Sequence, residues 1–564
     1  MNNNKTSNPK SKIFSLIAIF LIVLFVGIQA TKNIGQSESE RNTEKALKSL
    51  SQDLKSINYS TGTPVKSTVN LGSTNLSNEL PEITQYPLSV EGKGDINIEI
   101  FSSPEKAGSN TDGWLNEVAT KFNNSNYKIG DKTVSVSIRS VASGTAIDYI
   151  SSKKYLPDAF TPSNELWGDL GKAQGANLSK IDDALVKNTA GILISDATYS
   201  KLQSSYGNVD LAAIVQATIN KEINFGYTNP YSSSTGLNFL LSTLNYFDST
   251  NPLSDKAKTG FESFQANIPF VSYTTMQMRT AAESGSLDAF ILEYQTYIND
   301  STLKNNYKFI PFGAPHNNPL YSVGTLSDEK SQVIQLFIKY SKSSAATNLA
   351  NSYGFNTDLN YTASVQSYDG NTLIQAQKLW KQEKDSGKPI IAMFVADVSG
   401  SMFGSPINKL KESLINGSQY INSNNYIGLM SYSTNVTINL PIAKFDLNQR
   451  AYFNGTVESL SASGNTATFD AILVATNELL QKQKEVPDSK LMMFVLSDGE
   501  TNIGHTLDDA SKIIQNLDIP IYTIGYNANI AALGKISSIN EAASINAESE
   551  DVVYQLKNLF NSNL

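Results

Sequence analysis

The order of apolar and polar positions divides the chain into three regimes. An uncharged, predominantly apolar run extends from Ile13 to Ala30. From about residue 31 to 93 the chain is rich in Ser, Thr, Asn, Lys and Glu and poor in large apolar residues. Periodicity starts at Asp95. Residues 95–101, Asp-Ile-Asn-Ile-Glu-Ile-Phe, alternate strictly, with the two-residue period of a strand. Trp114, Val118 and Phe122 share one face of a helix expected over 113–123, and Val134 to Val141 alternates again. Strand, helix and strand keep recurring, which predicts an α/β architecture with helices packed on mainly parallel sheets.

A second periodic unit starts near Lys388. Pro389 to Ala396 is almost continuously apolar, as a parallel strand buried on both faces must be. Further apolar runs fall at Tyr426–Tyr432, Lys490–Leu496 and Ile519–Ile524, separated by amphipathic helices such as Ile407–Ile421 and Ala471–Gln483. A helix over Asn371–Asp385, carrying Trp380, reads as a connector. The 564 residues exceed one core. The expected order is a signal peptide or signal anchor (1–30), a polar linker (31–93), a first α/β domain (94–360), a helical connector (361–387) and a second α/β domain (388–564).

Charge and composition narrow this further. Lys5, Lys10 and Lys12 precede the apolar run, and cationic flanks stay on the cytoplasmic side. The run of about 18 residues lies between a signal core and a spanning helix. Ile28 occupies the position where cleavage after Ala30 would favour a small residue. The expectation is therefore a bacterial membrane protein with a single-pass anchor and extracellular domains; secretion after cleavage near Ala30 is the alternative. Ser39 to Lys55 of the polar linker has some helical periodicity, but the stretch as a whole cannot bury much surface and is expected to be an extended or disordered spacer. There is no cysteine, which excludes disulfides, thiolate zinc sites, a cysteine nucleophile and a cysteine-linked lipid. The two histidines, His316 and His505, fall in different domains, against a multi-histidine metal site. Both read as loop residues, His505 as a solvated one. A net charge of −8 without a basic block argues against nucleic acid as partner. Walker, G-x-S-x-G, H-E-x-x-H and G-x-G-x-x-G motifs are absent.

The strand ending at Ala396 runs into Asp397-Val-Ser-Gly-Ser-Met402. Alternate residues leaving a strand point the same way, so Asp397, Ser399 and Ser401 are expected to converge above the C-terminal edge of the sheet. Doubly wound folds bind their ligands at that edge. Ser461-Ala-Ser-Gly-Asn-Thr466 offers the Thr466 hydroxyl, and Leu496-Ser-Asp-Gly-Glu500 places Asp498 at the end of another strand. Two carboxylates and three hydroxyls balance a hard divalent cation: Mg²⁺, with Mn²⁺ or Ca²⁺ as alternatives. Singly, such hydroxyls are ordinary turn and helix caps. The ordered set resembles the von Willebrand factor A (VWA) domain and its metal-ion-dependent adhesion site, over roughly residues 385–564. The resemblance implies that Ser399, Ser401 and Thr466 are direct or near-direct ligands, and that Asp397 and Asp498 act directly or through water. It also implies an open coordination position for an acidic side chain of a protein partner. Asn465 departs from the family, where a second glycine is frequent. Asp498 and Glu500 are the only acid–base candidates nearby, so binding rather than catalysis is expected.

In the first domain, Phe101-Ser-Ser-Pro104, Val141-Ala-Ser-Gly-Thr145, Asp158-Ala-Phe-Thr-Pro-Ser163, Phe225 to Gly236 and Glu293-Tyr294 each follow a strand-like stretch. This series resembles the bacterial extracellular solute-binding proteins, the two-lobed type serving ABC importers of oxyanions and similar ligands, over about 94–358. Ser327–Gly354 matches the closing helices before Tyr353-Gly-Phe355. The resemblance implies a cleft lined by Ser102, Ser103, Ser143, Thr145, Ser163, Ser233, Ser234, Thr235 and Tyr294. Hydroxyls and helix-start amides hold an anion without a cationic side chain, although the same residues serve equally as plain caps. The expected fold is a two-lobed, type 2 periplasmic-binding-protein-like domain followed by a doubly wound, Rossmann-like VWA domain. The expected function is Mg²⁺-dependent capture of a partner carboxylate at the cell surface. The alternative is solute or oxyanion binding or sensing, with the VWA domain for docking.

Overall fold

The computed structural model describes residues 36–67, 80–268, 270–272, 275, 278, 287–363, 368–384, 388–499, 501–517, 519–526, 544–547, 556, 559–560 and 563–564. The apolar run Ile13–Ala30 lies outside the described residues, and among those described no helix is long and apolar enough to cross a membrane. The chain divides into two units, residues 75–387 and residues 1–74 together with 388–564.

The polar stretch expected as a spacer is folded over much of its length. Helix α1 (Gln36–Asp53) and strand β1 (Tyr59–Thr61) belong to the second unit. Leu50 and Ile57 are buried in a core with Ile391, Val395 and Ile438. Composition concealed this because few apolar anchors suffice when their partner surface lies elsewhere: Asn58 bonds Asn435, 377 positions on. Residues 80–93 go instead to the first unit, where β2 (Leu88–Val90) pairs with β5 (Lys132–Ser140).

The unit of residues 75–387 has two sheets. The larger follows the order β2, β5, β3 (Ile96–Ser102), β6 (Ala159–Thr161), β13 (Leu320–Val323) and β7 (Leu178–Asp182), with β4 (Lys128–Ile129) on β5. The other follows β10 (Phe270–Ser272), β9 (Phe225–Thr228), β11 (Ala289–Glu293), β8 (Ala190–Ser195) and β12 (Tyr307–Pro311). The alternation read over 95–101 sends Ile96, Ile98 and Ile100 into a core shared with Trp114, Val118 and Phe122. Phe355 of the Tyr-Gly-Phe segment packs on Trp114, ring centres 5.6 Å apart. The helix expected as a connector, α6 (Gly370–Glu383), is part of this unit: Trp380 is fully buried and its Nε1 donates to Tyr227 Oη at 2.7 Å, while Gln377 donates to Pro230 O at 2.8 Å. The helices between β3 and α6 include α2 (Pro104–Ala107), α3 (Trp114–Asn124), α4 (Ser143–Ser152) and α5 (Ser234–Phe247).

Among the described residues the other unit has one sheet, ordered β1, β16 (Val436–Lys444), β15 (Tyr426–Tyr432), β14 (Ile390–Asp397), β17 (Lys490–Ser497), β18 (Ile521–Tyr526) and β19 (Ser544–Ala547). Strand β14 explains the unbroken apolar run. Ile391, Met393 and Val395 enter one core with Ile472 and Leu473 of α8 (Thr468–Glu485). Ile390, Ala392, Phe394 and Ala396 enter the other, with Leu410 and Leu414 of α7 (Ser405–Ser418). Both faces of the central strand are covered, as doubly wound sheets require. The chain leaves β14 for β15 on one side and returns as β17 on the other, both parallel to it. That reversal opens a crevice at the C-terminal end of β14.

Candidate functional site

Asp397 ends β14 at this reversal and is wholly buried. Its Oδ1 accepts the Ser399 amide at 2.8 Å and its Oδ2 the Ser497 hydroxyl at 2.6 Å. The Ser399 and Ser401 hydroxyls face each other at 3.1 Å, and Ser401 Oγ donates to Asp498 Oδ1 at 2.8 Å. Asp397, Ser399, Ser401 and Asp498 therefore form one continuous chain of contacts across two loops. The third loop joins by its backbone: Gly400 N donates to Gly464 O at 2.9 Å and Ser463 N to Val398 O at 2.8 Å. Thr466 is buried, with its amide on Asn502 Oδ1 (2.9 Å) and its carbonyl on Thr501 Oγ1 (2.8 Å). Among the described residues, no hydrogen bond joins its hydroxyl to the other four.

Burial raises the Asp397 carboxyl above the ordinary range, against the Ser497 and Ser399 hydrogen bonds, and the Asp498 charge adds to the rise. Tyr432, its register partner in β15, is pushed well above its normal value by burial and then by that carboxylate. A cation would offset the cost of the buried Asp397 charge. Among the described residues no group of three or more His, Cys, Asp or Glu is able to hold a metal. The donor set is thus carboxylate-poor and hydroxyl-rich, which fits a hard divalent cation and disfavours a soft one.

Sequence reading overlooked Ser497, Thr501 and Asn502, which orient Asp397 and Thr466. Ser497 was legible as the last residue of a strand next to a proposed ligand. Glu500 lies outside the described residues. His505 is not a solvated loop histidine: its Nδ1 lies 2.6 Å from Asp470 Oδ1, which also accepts the His505 amide at 2.8 Å.

In the first unit the cleft hydroxyls are brought together but not left open. Ser102, Ser103, Ser143, Thr145, Ser163, Ser233, Ser234 and Thr235 are all buried. Lys106 lies among them with no exposed surface; its Nζ donates to Ser103 Oγ at 2.5 Å and to Thr161 O at 2.9 Å. Glu105 Oε1 accepts both the Ser103 and Ser163 hydroxyls at 2.5 Å, and Thr235 donates to Glu293. Ser102 Oγ donates to Ser103 O at 3.3 Å, and Ser233 caps α5 through Gly236 N at 3.2 Å. The two sides meet directly: Ser234 Oγ donates to Ser143 Oγ at 3.0 Å, and Gly144 N to Ser232 O at 3.1 Å. A Cβ on Gly144 would come within 2.0 Å of Tyr231 O.

Three expectations change here. An anion pocket without a cationic side chain is replaced by a buried Lys106–Glu105 pair. The signal was the charged dipeptide after Ser-Ser-Pro at a strand end. His316 is no ordinary loop residue: it is fully buried, its Nε2 lies 3.2 Å from Asn164 Nδ2, and burial pushes it down to about 4. Tyr294 stands apart from the hydroxyls, edge-on to Phe309 with ring centres 5.1 Å apart, in an open pocket with Tyr199, Tyr297 and Lys308. Burial also moves Lys106 down to about 8 and, with the Glu105 charge, Glu293 up to about 8. For Glu105 burial pushes upward, but Lys106 and the Ser103 and Ser163 hydroxyls outweigh it and hold the carboxyl low.

The family profile described as von Willebrand factor type A domain matches residues 393–561, and the one described as bacterial extracellular solute-binding protein matches residues 107–356. Among curated proteins, inter-alpha-trypsin inhibitor heavy chain H3 of Bos taurus is 26% identical over 160 residues, 26% of this chain and 17% of that protein. The chain thus spans 17% of the length of that relative. Among solved structures, a periplasmic thiamin binding protein aligns with TM-score 0.39 at 12% identity, covering 52% of this chain and 98% of that one. A von Willebrand factor type A protein from Catenulispora acidiphila aligns with TM-score 0.28 at 16% identity, covering 31% and 42%. The chain thus carries a region matching the bacterial extracellular solute-binding proteins at residues 107–356, followed by a region matching the von Willebrand factor type A domain at residues 393–561.

Proposed function

We propose that this is a cell-surface binding protein, without catalytic turnover, that captures an acidic side chain of a protein partner at a divalent cation, Mg²⁺ foremost. Asp397, Ser399, Ser401, Thr466 and Asp498 would hold the ion. The observation that carries the reading is the continuous carboxylate–hydroxyl chain at the C-terminal end of β14, where the strand order reverses. When bound, the cation supplies a Lewis-acidic position to a visiting carboxylate. The protein's own groups do the positioning: Ser497 and the Ser399 amide fix both oxygens of Asp397, and Asp498 aligns Ser401. Phe403, two residues past Ser401, is 79% exposed and gives a partner an apolar contact beside the ion. The Lys-flanked run Ile13–Ala30 would hold the domains at the membrane.

Titrating Mg²⁺ into the chain tests this. At about 100 times Kd the ion should stabilise the VWA domain by about 2.7 kcal/mol. Asp397→Ala should abolish that response and, with it, chelator-sensitive partner capture. A wild-type chain indifferent to Mg²⁺ would sink the reading. Phe403→Ala should leave Mg²⁺ affinity unchanged and weaken capture by about 1–2 kcal/mol, as truncation of an exposed aromatic anchor does.

Solute binding by the first domain is the second reading, favoured by the buried Lys106 ammonium amid hydroxyls. Because Glu105 already neutralises that charge, an oxyanion would have to displace a carboxylate. Calorimetry with molybdate, sulfate and phosphate is expected to give no heat; saturable heat with any of them would restore the solute reading.

A further inference from the structure

β1 runs parallel to β16 along the edge of the VWA sheet, with Tyr59 opposite Val436. Asn58 O accepts the Val436 amide at 3.2 Å, and Asn58 Nδ2 donates to Asn435 Oδ1 at 2.9 Å. Asn435 O in turn accepts Ser433 N at 3.0 Å, which closes the turn between β15 and β16. That turn grips the metal loop on either side of Thr466: Asn465 N donates to Thr434 Oγ1 and Ala467 N to Ser433 O, both at 3.0 Å. Gly464, immediately before Asn465, has φ of +87°, and a Cβ there would stand 2.8 Å from Thr434 Oγ1. The contacts thus run from Asn58 through residues 433–435 to Thr466 without a gap.

The segment carrying Asn58 is seated at both ends. Upstream, Leu50 and Ile57 are buried in the sheet's core. Downstream, Val65 N donates to Thr456 Oγ1 at 3.1 Å, Ser67 N to Ala451 O at 3.0 Å and Lys66 Nζ to Asn448 Oδ1 at 2.7 Å. Gly455 leaves the room for this, since a Cβ would fall 2.5 Å from Val65 O. The turn itself is exposed at Thr434 and Asn435, so little else in the core steadies it.

We propose that Asn58 and Asn435 are positioning residues for the Thr466 loop, and that the N-terminal segment 57–61 thereby sets how firmly the VWA domain holds its cation. The second half of this statement rests on the metal reading above. Displacing the segment would slacken the loop and weaken the site, so the seating of this edge strand is communicated to the metal face.

Amide hydrogen exchange at Asn465, Thr466 and Ala467 in the full chain tests the coupling, together with calorimetric Mg²⁺ affinity. Losing one hydrogen bond should speed exchange there about three- to tenfold in Asn58→Ala, and more in Ile57→Ser, which unseats the strand. Mg²⁺ affinity should fall in parallel. Lys66→Ala breaks a contact downstream of that segment and should leave 465–467 protected as in wild type. Equal protection of 465–467 in Asn58→Ala, Ile57→Ser and wild type overturns the proposal. If wild type takes up no Mg²⁺, the metal reading fails and exchange alone decides the coupling.

Discussion

Lys106→Met is expected to destabilise the solute-binding domain by about 3–5 kcal/mol, because it strands the buried Glu105 carboxylate. The ammonium has no exposed surface and its partners are Ser103, Thr161 O and Glu105. Methionine keeps the volume of the stem and loses every one of those bonds. Glu105 would then need a proton or would draw water into the interior. The double variant Lys106→Met/Glu105→Gln should recover most of the loss, since a buried pair replaced as a whole is often neutral. The readout is specific to this domain: the chain's 3 Trp, at 114, 167 and 380, all lie within residues 75–387. Thermal unfolding followed by tryptophan fluorescence therefore reports on it alone. A single variant as stable as wild type would mean the pair is solvated rather than locked inside.

Glu293→Gln is expected to remove a fall in stability of the same domain between about pH 6.5 and 8. In the folded chain burial and the Glu105 charge raise Glu293 to about 8, against 4.5 when unfolded. Between those values the folded state carries the extra proton. Its contribution is therefore complete at low pH and is lost as pH rises to about 8. His316, pushed down to about 4 from 6.5, acts in the opposite sense over the lower part of that range and offsets it. Above 6.5 the Glu293 slope stands by itself, at up to about 1.4 kcal/mol per pH unit. Lys106, lowered to about 8, turns the trend upward beyond that. Glutamine keeps an acceptor for Thr235 and never ionises, so tryptophan-monitored stability should be flat from pH 6.5 to 8. An unchanged slope in the variant would place its origin in another group.

Both predictions concern residues to which sequence reading gave no role. Glu105 and Lys106 look like an ordinary solvated pair at a helix start, and His316 looks like a loop residue between Pro315 and Asn317. Nothing local says that they face each other inside a closed cleft. By contrast, the D-x-S-x-S motif named its strand and its loop, because its residues are placed by a two-residue period that any strand must obey.

What the sequence by itself determined was therefore whatever depends on local period: the α/β class, the two-sided apolar strand β14 and the order of the three loops that meet at its C-terminal end. The tertiary structure decided what depends on partners distant along the chain. It docked the weakly periodic helix of the polar stretch on the VWA core and made an edge strand of the residues after it, took the connector helix into the solute-binding unit, and gave Ser497 and Asn502 their roles. It also closed the cleft on Glu105, Lys106, Glu293 and His316. The physical reason is that burial, and with it the cost and the pairing of every charge, is a property of the surface supplied by the rest of the fold; a residue's own neighbours in sequence do not carry it.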